Sequence, residues 1–182
     1  MKKLILVAGL ALAACVSPPV SQTSATLVSA DAATSLAVGE RITVLTSSQP
    51  GGDGMDPAVN ITLRHADGRS LTFQEANHAP YDLFVQRAGG ALAQVMGLQA
   101  GDEVTTLYHA ADGETSQQTS APFFCGPQGP AAIGKYQAPD GTIRIVGLRE
   151  PFQVEPRPGD GELEAVPYSP DAVCARLTFR PS

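Results

Sequence analysis

The sequence predicts a mainly β protein, an antiparallel sandwich or incomplete barrel with one short helix near residues 80–96. Three observations carry that expectation. Apolar and polar residues alternate with period two on both sides of Asp-Gly turns, the strongest short-range hairpin signal. Further alternating runs recur along the chain, separated by glycine- and proline-containing stretches. A single segment, from Pro80 to Met96, has apolar residues spaced near 3.6 instead.

Taken in order, RITVLTS at 41–47 alternates as a strand does. Val59, Ile61 and Leu63 then face one way and Asn60, Thr62 and Arg64 the other; after Ala66-Asp67-Gly68-Arg69 the pattern resumes at Leu71 and Phe73, completing a hairpin. EVTTLYH at 103–109 predicts another strand, and GKYQAPDGTIRIVGL a second hairpin turning at Pro139-Asp140-Gly141, with Ile143 and Ile145 sharing a face. In VCARLTF at 173–179, Val173, Ala175, Leu177 and Phe179 share one face and Cys174 falls on the other. The stretch from 155 to 170 is rich in proline and glycine and predicts an exposed loop within the domain.

The helical segment is PYDLFVQRAGGALAQVMGL, with Pro80 suited to the first turn and Gly97 to the left-handed position that ends it. Gly89-Gly90 weaken it, and leave open a strand over LFVQRA followed by a shorter helix. The next residues, Gly97-Leu98-Gln99-Ala100-Gly101-Asp102, resemble the GLQAGD turn of bacterial PDZ domains. That resemblance covers only the segment around them and implies a peptide binder.

The amino terminus has a different character. Lys2 and Lys3 precede LILVAGLALAA, an apolar run that reads as the core of an export signal and is too short to span a bilayer, which takes roughly 20 residues. Leu12-Ala13-Ala14-Cys15 resembles the lipobox of bacterial lipoproteins. The resemblance implies a diacylglycerol thioether on Cys15, cleavage just before it, and acylation of the new amino group with a fatty acid such as palmitate. Val16 behind the cysteine, rather than Asp, suggests sorting to the outer membrane, facing the periplasm. The expected organisation is a signal peptide over 1–14, a flexible tether over 15–37 built of Ser, Thr, Ala and Pro, within which Ala25 to Val28 can pair as a first strand, and one β-rich domain over 38–182.

Of three cysteines, two remain once Cys15 is assigned to lipid. Outside the cytoplasm Cys125 and Cys174 are expected to oxidise to a disulfide; the alternative is a reactive Cys125, although no His or Lys lies near it in sequence to lower its pKa. Removing Lys2 and Lys3 with the signal turns the formal net charge from −6 to −8. Such an acidic balance argues against nucleic acid as a partner, and leaves attachment to the acyl chains rather than to electrostatic attraction for anionic lipid.

Candidate chemistry is sparse. His65, Glu75, His78 and His109 are the candidate metal ligands, Glu75 and His78 being three apart as two ligands on one helical side would be; Pro80 opposes that helix, so no metal is expected. Gly51-Gly52-Asp53-Gly54-Met55-Asp56 resembles the start of a β-roll calcium repeat, but one copy cannot build that site and a turn is expected. No GxSxG, HExxH or SxxK occurs, and no catalytic residue or cofactor is assigned. Tyr81, Tyr108, Tyr136 and Tyr168 are candidate interface residues. The function these readings favour is a lipid-anchored envelope protein, a non-catalytic binding or accessory module with an envelope protein as partner. A periplasmic metal-dependent or hydrolytic enzyme is the alternative class.

Overall fold

A computed structural model describes residues 20–51, 57–76, 106–109, 121–151, 153–165 and 169–182. Eight of its strands close into an antiparallel barrel. They are β1 (Ser21–Ser29), β2 (Arg41–Gln49), β3 (Ala58–His65), β4 (Ser70–Glu75), β5 (Thr106–His109), β6 (Ala132–Gln137), β7 (Ile143–Leu148) and, after two short strands named below, β10 (Val173–Pro181). From β2 to β7 each strand pairs with its successor; β10 then lies between β7 and β1, and β1 completes the ring against β2. The expected choice of sandwich or incomplete barrel thus resolves to a closed barrel, in which no strand lacks a neighbour on either side.

The two expected hairpins are present. Ile61 pairs with Phe73 and Leu63 with Leu71 across β3 and β4, and Lys135 pairs with Ile145 across β6 and β7. Gly68 and Gly141 take the positive φ that their turns require, and the carboxylates of Asp67 and Asp140 accept from the N–H of Arg69 and Thr142, two residues on.

The interior is the apolar face of each alternating strand. Ile42, Ile61, Leu63, Leu71, Ile133, Ile145 and Phe179 are fully buried there, and an eight-stranded barrel is just wide enough for such side chains to fill it. Outward positions on β3 carry Asn60, Thr62 and Arg64. Outward positions on β5, β6 and β7 differ, carrying Leu107, Ala132, Tyr136, Val146 and Leu148, all buried. No helix among the described residues is long and apolar enough to cross one.

Two features correct the expectations. The second half of the expected tether belongs to the barrel: β1 pairs with β2 from Ser21 to Val28, and a short helix, α1 (Ala32–Val38), follows. Leu27 is the reason, as a buried side chain on a strand with partners on both sides. Asp31 caps α1 by accepting from the Thr34 N–H at 2.7 Å, while Gly39, at φ 80, ends it by donating to the Ser35 carbonyl. Thr34 and Val38, four apart, are buried, and the Thr178 N–H donates to Thr34 Oγ1 at 2.8 Å. The helix expected near 80–96 lies outside the described residues, so α1 is the short helix seen.

The second correction concerns Cys174. The register of β10 against β7 shifts between Val173 and Ala175, a bulge that takes Val173 off the inner face and turns Cys174 toward Gly147. Cys125 and Cys174 form a disulfide with Cα atoms 5.0 Å apart, joining a loop to the start of β10. The proline-rich stretch contains a small ribbon, β8 (Val154–Pro156) against β9 (Leu163–Ala165), where Arg157 pairs with Asp160 and Glu162 across the turn.

Candidate functional site

The inner wall is not uniform along the barrel axis. At the end where β2, β3 and β10 meet α1 and the 121–131 loop, it is sealed by Val38, Phe123, Phe124 and the disulfide. At the other end, where β1, β3, β5 and β7 begin, the inward positions become polar. Strand register puts Glu75 beside Tyr108, Tyr108 beside Ile133, and Thr106 beside Lys135, all on the face that carries Phe73 and Ile145. A carboxylate, a phenol, a hydroxyl and an ammonium thus share one section of wall on three consecutive strands.

Their electrostatics follow from burial. Tyr108 is only 4% exposed. Loss of water pushes its phenol up to about 12, helped by the negative charge of Glu75, while a hydrogen bond with the Thr106 side chain pulls the other way. Tyr108 therefore stays a neutral hydroxyl at any physiological pH. Burial raises the Glu75 carboxyl above its ordinary value, and the positive charge of Lys135 opposes that rise. Together these groups can accept and donate hydrogen bonds to a small polar group, with charge of either sign within reach.

The candidate metal ligands do not converge. His65 ends β3 at the sealed end, where its Nδ1 lies 2.8 Å from Asp67 and its ring 5.4 Å from that of Phe123. Asp67 is held down to about 2, first by the Arg69 N–H and then by His65. Glu75 belongs to the polar end. His109 pairs with Gln74, one residue from Glu75, and so faces outward, where it is buried. His78 lies outside the described residues, as do Cys15, the GLQAGD segment and 52–56 of the calcium-like stretch. Among the described residues no three His, Cys, Asp or Glu side chains gather as a metal site.

Sequence reasoning singled out Glu75 and Tyr108 but passed over Thr106 and Lys135. The signal was present: Lys135 has the same parity as Ile133 and, across the Pro139-Asp140-Gly141 turn, as Ile143 and Ile145. Tyr136, on the opposite parity, is buried on the outer face, with the Arg144 guanidinium 5.9 Å from its ring centroid. Neither a family model, nor a curated protein, nor a solved structure matches the chain.

Proposed function

We propose that this chain is a lipid-anchored cell-envelope protein whose barrel serves as a non-catalytic binding or accessory module, held at the outer membrane through acyl chains on Cys15 and facing the periplasm. A disulfide inside a barrel that follows a Leu-Ala-Ala-Cys signal is the observation that supports this reading, because a structural crosslink suits an oxidising compartment. The filled interior favours recognition at the barrel's surface and its polar end over enclosure of a large ligand. The partner class is an envelope protein.

The enzyme alternative has one observation in its favour. Glu75 and Tyr108 are perturbed titratable groups side by side on an inner wall, the kind of arrangement that acid–base chemistry uses.

The test of the anchor is direct. Mass spectrometry of protein from native membranes should find acyl groups on the peptide that begins at Cys15, and Cys15→Ser should move the protein from the membrane to the soluble fraction. An unmodified Cys15 in native protein, or a Cys15→Ser protein that still floats with membranes, defeats it.

A further inference from the structure

The anchor and the fold together orient the molecule, and this step rests on the reading of Cys15 as the lipidated residue. Only six peptide units separate Cys15 from Ser21, where β1 begins, a span of about 20 Å at full extension. β1 starts at the polar end and runs toward the sealed end, with its direction fixed by pairing with β2 from Ser21 to Val28. A strand of nine residues is roughly 30 Å long, and tilted as barrel strands are it rises roughly 20 to 25 Å along the axis. Bringing the sealed end onto the bilayer would require the tether to double back, fully stretched, along the whole wall.

We propose that the polar end of the barrel faces the bilayer that holds Cys15, with the β6–β7 turn and the projecting starts of β1 and β3 at the headgroups and the sealed end turned toward the periplasm. The described residues at that end fit a headgroup zone. Ser21 to Ala25 on β1 are exposed and uncharged, Gln137, Pro139 and the carboxylate of Asp140 are exposed at the turn, Arg180 is exposed on β10, and Lys135 is half-buried on the wall behind them. Uncharged hydrogen-bonding groups with a few charges of both signs suit headgroups that carry phosphate and ammonium together. Among the described large apolar side chains, Val20, 53% exposed just before β1, lies at this end as well, where it can enter the interface, while Leu36 on α1 is 92% exposed at the sealed end. The occupant of the polar end is therefore the lipid surface, and a partner arriving through the periplasm meets α1 and the 121–131 loop.

The experiment uses full-length acylated protein carrying one fluorophore, attached either at Pro139→Cys in the β6–β7 turn or at Ala66→Cys in the β3–β4 turn. Cys125 and Cys174 are in the disulfide and Cys15 is acylated, so each variant offers one thiol. The protein is reconstituted in vesicles of phosphatidylethanolamine and phosphatidylglycerol containing a lipid with a nitroxide on its headgroup. Quenching several-fold stronger at position 139 than at 66 is expected. Equal quenching, or stronger quenching at 66, in protein that floats with the vesicles overturns the orientation and leaves the anchor standing. Protein that carries no acyl group and does not float overturns the anchor and the orientation with it. Inserting about 20 Gly and Ser residues between Ser17 and Pro18 adds a coil of some 25 Å and should shrink the difference. A difference that persists undiminished would show that the tether is not its cause.

Discussion

The two ends of the barrel are built on one alternation and do opposite things. At the sealed end the inward positions meet Phe123, Phe124 and the disulfide so closely that a Cβ on Gly147 would lie 2.7 Å from the sulfur of Cys125 and 3.1 Å from the Phe124 ring. At the polar end the same parity brings Glu75, Thr106 and Lys135 to the wall, half-buried. Close packing makes the first end intolerant of added volume. The second holds a carboxyl, Glu75, whose charge state responds to its surroundings, which is what recognition requires and what stability disfavours. Segregating them along the axis lets the barrel be rigid at one end and chemically responsive at the other.

Removing the crosslink should expose that division most strongly. The disulfide spans 49 residues, for which chain entropy gives about 4 kcal/mol at most. Replacing Cys125 and Cys174 together by Ala should lower Tm on the order of 10 °C in a thermal scan. A shift within a degree or two would mean that the apolar plug, rather than the bond, holds this end. Gly147→Ala tests the plug itself. The added methyl has to displace both sulfurs and the Phe124 ring, an overpacking that costs about 1–3 kcal/mol in urea titration. In the background lacking both cysteines the same substitution should cost less, since the contact at 2.7 Å is gone. Equal costs in the two backgrounds would place the crowding elsewhere.

What was legible in the sequence divides along a related line. The β3–β4 and β6–β7 hairpins are local: period-two patterning flanks an Asp-Gly turn, and a few consecutive residues determine the pairing. Closure is not local. It depends on β1, whose Ser- and Thr-rich composition reads as a tether until Leu27 is seen buried beside β10, and on Thr34, which bonds a backbone N–H 144 residues away. Nothing within β1 or α1 encodes those partners. The face of Cys174 was misjudged because one bulge residue inverts a strict alternation, and a bulge leaves no mark on residue type. At the polar end Lys135 was readable from parity alone. Its nearness to Glu75 was not, because it depends on β5 lying between β4 and β6.

The smallest effect is the one that separates the ends most cleanly, because their carboxylates titrate with opposite signs. At the sealed end Asp67 is lowered from 3.8 to about 2. Its contribution to stability is present above 3.8 and is lost as pH falls toward 2. At the polar end burial raises the Glu75 carboxyl above 4.5, so between 4.5 and its folded value the native state binds more protons than the unfolded chain. The contribution of Glu75 is therefore complete below 4.5 and lost as pH rises through the folded pKa. Glu75→Gln keeps the shape and removes that loss. Its Tm should exceed that of the native protein at neutral pH, and the two should converge on acidification toward 4.5. Lys135→Met in the native background should widen the same gap, because the positive charge that favours the ionised carboxylate is gone. A Glu75→Gln protein less stable than the native one at neutral pH would show that attraction to Lys135 outweighs desolvation. The polar end would then be held together by its charges, as the sealed end is by its packing.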